Sequence, residues 1–107
     1  MIKVRFFISG ENLSGFSISG HAGFAESGQD IICAAVSSAA YMAANTVTEV
    51  IKANAEASDG DGEMTLTVSE NSAEVQTVLR GLELHMKELA SMYPENITLK
   101  YGGVKNA

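Results

Sequence analysis

The sequence holds a single cysteine, Cys33, and one of its two histidines, His21, lies twelve residues upstream of it. A cysteine thiolate with a histidine base is the minimum constellation for nucleophilic acyl transfer, provided that the two side chains meet in three dimensions. Gly23 and Gly28 in the intervening segment allow tight turns, so the chain can fold back on itself. The pair therefore predicts a candidate catalytic site.

A helix is predicted to position Cys33. Asp30 is a favourable N-cap residue directly before an apolar run that begins at Ile31, which places Cys33 in the first helical turn. Unpaired amide groups and the positive end of the helix dipole favour a thiolate there. Asp30 could cap this helix, orient His21, or do both.

A purely structural interpretation of Cys33 and His21 remains open at this point. A lone cysteine is often a small buried apolar residue, and a lone histidine in a glycine-containing segment is often an ordinary loop residue. Ser37 and Ser38 in the same helix are more typical of a packed face than of catalysis, although their hydroxyl groups could contact a substrate. Residue types and spacing alone do not decide between these interpretations.

Two strands are predicted before this segment, at residues 2–9 and at about 13–20, joined as a hairpin by Gly10, Glu11 and Asn12. Alternation in the first strand predicts two faces. One face should carry Ile2, Val4, Phe6 and Ile8, and the other Lys3, Arg5, Phe7 and Ser9. The hairpin would deliver His21 to a strand end.

The remaining elements follow from periodicity. A helix is predicted from Asp30 to about Asn54, a short strand over 55–58, a turn over 59–62 and a strand over 64–69. Asn71 and Glu74 have the spacing of a capping box for a second helix that Pro94 ends. Glu83 should face away from its apolar stripe, and His85 should be partly buried at the stripe's edge. Residues 97–101 predict the last strand.

The fold class predicted by this order, β-β-α-β(-β)-α-β, is α+β. We expect a single domain over residues 1–107, with a mixed or antiparallel sheet of four to five strands and two helices. With so few helices, part of the apolar surface could remain free to contact a second copy of the chain.

Composition restricts the partners. The net charge is −6, and the seven Lys and Arg residues are scattered along the sequence, so no basic stripe and no direct nucleic-acid partner are expected. An acidic surface could instead attract a basic protein. We expect no membrane-spanning segment, no signal peptide and, with one cysteine, no internal disulfide, which together indicate the cytoplasm.

The segment from Gly20 to Ser37 resembles the signature of the ribosomal-processing cysteine protease family, known as Prp. The resemblance lies in Gly20-His21-Ala22-Gly23, Gly28-Gln29-Asp30-Ile31 and Cys33-Ala34-Ala35-Val36-Ser37. It implies that Cys33 is the nucleophile, that His21 is the base, and that Asp30 occupies the acidic position of the motif. It further implies a homodimer, without a cofactor, that removes a short N-terminal extension from a large-subunit ribosomal protein after two phenylalanines.

The loop that contains His21 and leads to the helix of Cys33 is expected to contact the substrate. Its candidate residues are Gly20, Ala22, Gly23, Phe24, Gly28 and Gln29. Small residues and glycines give the segment from Ala22 to Gln29 few packing groups, so we expect it to become ordered when an aromatic-bearing peptide binds. Gln29 is a weak candidate for an oxyanion donor.

Other functions fit the sequence less well. A non-catalytic ribosome-associated binding module would keep the ribosomal partner but has no need of His21 and Cys33. A phosphate site lacks the usual lysine motif, and the Asp59–Gly62 segment lacks the later ligands of a calcium loop. One cysteine, one histidine and one carboxylate fall short of metal-ligand spacing, so no metal site is predicted.

Overall fold

The described residues form five strands and two α-helices, and the predicted order of elements is confirmed. The computed structural model describes residues 1–20 and 27–103, and of residues 27–30 it describes the backbone alone. The elements are β1 (Ile2–Ser9), β2 (Asn12–Ser19), α1 (Ser27–Asn45), β3 (Ala55–Gly60), β4 (Glu63–Val68), α2 (Ala73–Met92) and β5 (Ile97–Gly103).

The strands form one mixed sheet in the order β3-β4-β2-β1-β5. β1 and β2 make the predicted antiparallel hairpin, β4 pairs antiparallel with both β2 and β3, and β5 pairs parallel with β1. The parallel pair places the first and last strands of the sequence side by side, with β5 at the edge of the sheet. An α+β fold with a single five-stranded mixed sheet is therefore confirmed.

The hydrophobic core lies between one face of the sheet and the two helices. Ile2, Val4 and Phe6 alternate along β1 toward this core, where they meet Val36 from α1 and Leu79 from α2. Full burial of a side chain of this kind contributes about 1.5–3 kcal/mol relative to its exposure. Because α1 and α2 both pack on this face, no helix among the described residues covers the opposite, outer face of the sheet.

A bulge in β1 makes one part of the face prediction wrong. The register shifts between Phe7 and Ile8, so Ile8 is 40% exposed, whereas Phe7 is only 2% exposed on the outer face. In the two neighbouring strands Phe7 lies opposite Gly15 and Gly102, which leave room beside its ring. Gly15 is itself required, because a Cβ atom there would lie 1.9 Å from the carbonyl oxygen of Leu66.

The outer face also gathers basic residues that the sequence separates widely. The parallel register places Arg5 beside Lys100, and Lys3 points to the same face two residues earlier in β1. The expectation that no basic stripe forms is therefore wrong for these three residues. Strand pairing, rather than sequence neighbourhood, brings them together.

Helix α1 starts and ends earlier than predicted. It begins at Ser27, so Asp30 lies inside the helix instead of capping it. After Asn45 the helix widens into a π-helical turn over Thr46–Val50, in which the Ile51 amide donates to the carbonyl of Thr46 at 2.8 Å. Lys52 then adopts a positive φ of 58°, which ends the helical path before Asn54.

The cap of α2 is one residue away from its predicted position. Ser72, not Asn71, is the N-cap, and its hydroxyl accepts a hydrogen bond from the Val75 amide at 3.2 Å. The end of the helix before Pro94 is confirmed, because α2 stops at Met92 and Tyr93 closes it with a bond to the Leu89 carbonyl.

One helix contradicts the expectation that no segment could span a membrane. Ile31–Val50, in α1 and the π-turn, is 20 residues long with a mean hydropathy of 1.4, which is sufficient by length and composition. A third of its most apolar stretch is buried inside the domain. A helix in the core of a globular domain meets the same criteria of length and hydropathy. Here α1 packs against the sheet and α2, as a core helix does.

Glu83 is buried, although the sequence predicted that it would face away from the core. It is 8% exposed, accepts a hydrogen bond from the Tyr101 hydroxyl at 2.6 Å, and pairs with Arg80 at 3.0 Å. The Lys87 ammonium lies 3.9 Å from the same carboxylate. The hydrogen bond from Tyr101 links β5, at the edge of the sheet, to the middle of α2.

The contacts of Glu83 also set its protonation. Burial alone would raise the pKa of this carboxyl, but hydrogen bonds from Tyr101 and Arg80, with the charges of Arg80 and Lys87, hold the pKa below its ordinary value of 4.5. A carboxyl whose pKa is lower in the folded than in the unfolded state stabilises the fold above the unfolded pKa. That contribution is lost as the pH falls below about 4.5 and through the lowered folded pKa.

Replacing Glu83 with glutamine should therefore destabilise the protein at neutral pH. We expect Glu83→Gln to lower the free energy of unfolding by about 1–3 kcal/mol, because charge-assisted hydrogen bonds become neutral ones. The difference from the wild type should shrink as the pH falls below about 4.5 in urea titrations. Glu88→Gln, on the exposed side of the same helix, is the control. A pH-independent difference would contradict this account.

Candidate active site

Cys33 lies half-buried where α1 meets the sheet. Its side chain packs against the core and borders a cavity of about 240 Å³. This cavity, here called the Cys33 cavity, lies at the end of the sheet where β2 stops and β4 begins. Its lining residues are Ile2, Ile18, Gly20, Cys33, Val36, Ser37, Ala40, Tyr41, Asp59, Gly62, Glu63 and Met64.

Helical spacing builds one wall of the Cys33 cavity. Cys33, Ser37 and Tyr41 follow at intervals of four residues, so they lie one above the other on a single face of α1. At 1.5 Å per residue, this wall extends about 12 Å along the helix. The sheet supplies an opposite wall that is largely apolar, with Ile2, Ile18 and Met64.

A hydrogen bond between Tyr41 and Asp59 closes the far end of the cavity. The Tyr41 hydroxyl donates to the carboxylate of Asp59, which links α1 to the end of β3. This hydrogen bond raises the pKa of the Tyr41 phenol, and desolvation and the negative charge of Asp59 act in the same direction. The phenol therefore stays protonated at neutral pH and remains a hydrogen-bond donor.

Gly20 is a predicted loop residue that lies at the cavity. It has a φ of +83°, and a Cβ atom there would lie 2.3 Å from the carbonyl oxygen of Met1. Only glycine suits that combination of backbone conformation and close approach. The next predicted residues, His21, Ala22, Gly23 and Phe24, lie outside the described part of the chain.

The early start of α1 changes the surroundings expected for Cys33. The first turn of α1 contains Gly28, Gln29 and Asp30. The sequence predicts that Gly28 and Gln29 belong to the loop and that Asp30 precedes the helix, so these three positions differ from the prediction. Cys33 is consequently in the second turn, not the first. Since the favourable effect of a helix N-terminus on an anion falls off within one turn, it contributes less to the Cys33 thiolate than the sequence suggested.

The two adjacent serines separate into different environments. Ser37 lines the Cys33 cavity, whereas Ser38 is exposed and borders a groove between α1 and α2. His85 lies at that second groove and is exposed, not partly buried as predicted. Of the two serines proposed as substrate contacts, only Ser37 lies beside the cysteine.

Sequence reasoning missed three polar residues of the cavity. Tyr41 carried a detectable signal, because it continues the four-residue spacing from Cys33 through Ser37. Asp59 had been assigned to a turn, but it is in β3, and the turn is formed by Asp61 and Gly62 at positive φ. Glu63 reaches the cavity from β4. Neither carboxylate has a sequence signal that links it to Cys33.

The site contains no recognisable metal cluster within the described residues, where no three His, Cys, Asp or Glu side chains are grouped as ligands. What the described part of the site does contain is a thiol, a hydroxyl, a phenol hydrogen-bonded to a carboxylate, and an apolar wall. These groups could bind a peptide segment along α1 with a carbonyl carbon beside the sulfur.

Comparison with known proteins relates this arrangement to a family. The family model described as cysteine protease Prp matches residues 1–98 of the chain. This chain belongs to the cysteine protease Prp family. It is a cysteine protease, and the resemblance seen in the Gly20–Ser37 segment is thereby confirmed at the level of the family.

Solved Prp structures have the same fold over nearly the whole chain. The S. aureus ribosomal processing protease Prp in complex with a substrate peptide is 25% identical, with a TM-score of 0.86, and the match covers 94% of this chain and 99% of that one. The same S. aureus protease with a covalently linked product peptide is 26% identical, with a TM-score of 0.84 and the same coverage.

A streptococcal protein is similar to a comparable degree. SMU.848 from Streptococcus mutans is 28% identical, with a TM-score of 0.81, over 97% of this chain and 96% of that one. No curated protein matches the sequence significantly. The full-length structural matches indicate that the Prp fold, including the helix that carries Cys33, is present here without large insertions or deletions.

The separation of Ser37 from Ser38 gives a direct test of the cavity. Ser37→Leu should place a bulky side chain beside Cys33 and lower kcat/KM for a cleaved peptide by at least about a hundredfold, because small displacements of a reacting group are costly. Ser38→Leu, directed at the other groove, is the matched control and should retain most activity. A Ser37→Leu variant that keeps wild-type activity at unchanged melting temperature would show that substrate does not bind beside Ser37 in the Cys33 cavity.

Proposed function

We propose that this protein removes a short N-terminal extension from a large-subunit ribosomal protein, using Cys33 as nucleophile and His21 as general base. The observation that carries the proposal is a half-buried thiol beside a cavity in a chain of the Prp family. Gly20 lines that cavity and directly precedes His21 in the sequence, which supports the pairing. The S. aureus relative is a ribosomal processing protease.

The proposed reaction is an acyl transfer in two stages. His21 accepts the thiol proton of Cys33, the sulfur attacks the peptide carbonyl carbon, and backbone N–H groups near the start of α1 stabilise the oxyanion. The C–N bond then breaks, and the imidazolium gives its proton to the leaving amine. Water, deprotonated by His21, hydrolyses the thioester and releases the N-terminal extension. Asp30 could support this sequence by orienting His21.

The dimensions of the cavity suit an extended peptide. At about 3.3 Å per residue, the wall of roughly 12 Å from Cys33 to Tyr41 accommodates three to four residues. The apolar side chains of Ile2, Ile18 and Met64 favour apolar or aromatic side chains of the substrate next to the scissile bond. Cleavage after a pair of phenylalanines is consistent with this lining.

The alternative of a non-catalytic ribosome-associated module explains less of the site. A binding module needs a complementary surface but has no use for a thiol at the edge of a cavity. The S. aureus relative with a covalently linked product peptide shows that a closely similar fold forms a covalent complex with peptide. Catalysis by Cys33 is therefore the function we favour.

We further propose that the protein acts as a homodimer in the cytoplasm. The lone thiol fits a reducing compartment. Large apolar side chains are exposed on α1 and on the π-turn that follows it, including Met42 at 66% and Val50 at 75%, and a mainly apolar groove of about 680 Å³ lies between α1 and α2. An exposed apolar surface of this kind is typical of an interface between subunits.

Cleavage of a defined substrate tests the proposed activity. The same organism's ribosomal protein with its N-terminal extension should be cut once by the wild type, and mass spectrometry should locate the cut after two phenylalanines. Cys33→Ala should abolish cleavage, and Cys33→Ser should be nearly as inactive, because an unactivated hydroxyl is a much weaker nucleophile. His21→Ala should lower kcat by at least about a hundredfold.

Binding of the same substrate by Cys33→Ala, measured by calorimetry, controls for folding and recognition. If Cys33→Ala cleaves at the wild-type rate, Cys33 is not the nucleophile. If the wild type binds the extended ribosomal protein but never cleaves it, the non-catalytic module is the better description.

The dimer has its own test in the exposed face of α1. The wild type should sediment as a dimer, and Met42→Glu should shift it toward the monomer, because a charge would be buried without a partner. Lys52→Glu, an exposed substitution beyond the π-turn, should leave the dimer intact. A wild type that stays monomeric at tens of micromolar would contradict the proposed dimer.

A further inference from the structure

The outer face of the sheet carries a second concave surface, on the side that no described helix covers. This groove has a volume of about 500 Å³ and lies over β1, β2 and β5. Its lining includes three of the chain's seven Lys and Arg residues, namely Lys3, Arg5 and Lys100. We call it the basic groove. In a protein with a net charge of −6, this local concentration of positive charge is unexpected.

The stability of the sheet does not explain why these charges are adjacent. Arg5 and Lys100 are register neighbours in β1 and β5, and like charges placed opposite each other destabilise a pair of strands. A lysine on the edge strand β5 discourages unwanted edge pairing, but that reason covers Lys100 alone. Lys3 and Arg5 belong to β1, an interior strand. An anion that bridges the cationic groups would offset their repulsion.

The position of Arg5 brings its charge toward the edge of the sheet. Its side chain lies over Gly102, where the guanidinium nitrogen Nη1 is 3.0 Å from the point that a Cβ atom would occupy. A residue with a side chain at position 102 would displace it. The absence of a side chain at Gly102 thus leaves room for the guanidinium over β5.

The remaining lining favours phosphate groups over an acidic protein. Hydroxyl groups from Ser17, Ser19 and Thr98 lie among the basic residues. The apolar members, Val4 and Phe7, are only 1% and 2% exposed, so the groove lacks the accessible apolar anchor of a protein interface. Lysine, arginine and serine or threonine hydroxyls are the side chains that usually contact a nucleic-acid backbone.

We propose that the basic groove binds the phosphodiester backbone of single-stranded nucleic acid. A single strand suits a narrow positively charged groove that follows the backbone. The overall acidity of the chain, with Glu63 at the border of the groove, limits binding to this surface and keeps it weak. This function is separate from peptide cleavage, and it revises the expectation, drawn from composition, that the chain has no nucleic-acid partner.

Fluorescence anisotropy with a labelled twelve-nucleotide uridine RNA tests the proposal. Three phosphate contacts predict a slope of about −2 in a plot of log K against log salt, hence a roughly twenty-fold loss of affinity between 50 and 200 mM salt. Each of Lys3→Gln, Arg5→Gln and Lys100→Gln should reduce the magnitude of the slope by about 0.7. Peptide cleavage by these variants should be unchanged, which also verifies that they fold.

Lys52→Gln removes one positive charge away from the groove and should leave the RNA affinity and the slope unaltered. If it weakens binding as much as Arg5→Gln, attraction is diffuse and the groove is not the site. Failure of the wild type to bind the RNA at 50 mM salt would overturn the proposal. So would competition by poly-L-glutamate that equals unlabelled RNA charge for charge, since the groove would then fit an acidic protein.

Discussion

The packing of α1 against one face of the sheet is the interaction on which the rest of the structure depends. Ile32, Val36, Ala40 and Val47 turn inward and are at most 8% exposed, and small alanines let the helix approach the strands. Cys33, Ser37 and Tyr41 each follow an inward-facing residue by one position. Their face of the helix therefore adjoins the inward face and lies at the margin of the sheet. The Cys33 thiol is therefore held in place by the packing of the core.

The same helix has a third face that the domain does not cover. Met42 is exposed there and Val50 is exposed in the π-turn that follows, although Ile31–Val50 is apolar enough to resemble a membrane span in composition. An interface with a second subunit would give these side chains a buried environment. One helix would in that case combine core packing, positioning of the nucleophile and subunit contact, which accounts for a composition that is apolar on nearly every side.

The two faces of the sheet have different chemistry because both described helices pack on the same one. The helix-covered face is apolar and ends in the Cys33 cavity, whereas the outer face carries cationic and hydroxyl groups around the nearly buried Phe7. Glu63, near the start of β4, borders both surfaces. A peptide in the Cys33 cavity and a strand of nucleic acid in the basic groove would thus lie on opposite faces, so neither site requires the other to be empty.

The sequence by itself determined the elements and the candidate nucleophile, because these depend on local patterns. Alternation located β1 and β2, the apolar stripe located α2, Pro94 limited that helix, and the lone cysteine with its upstream histidine supplied a candidate site. Only the tertiary structure decided which residues meet from distant positions. Asp59 reaches Tyr41, Glu83 reaches Tyr101, and Arg5 reaches Lys100 through helix and strand packing that no local pattern encodes. Helix α1 likewise starts at Ser27 instead of following Asp30, because a favourable cap residue is a weak preference that the rest of the fold can override.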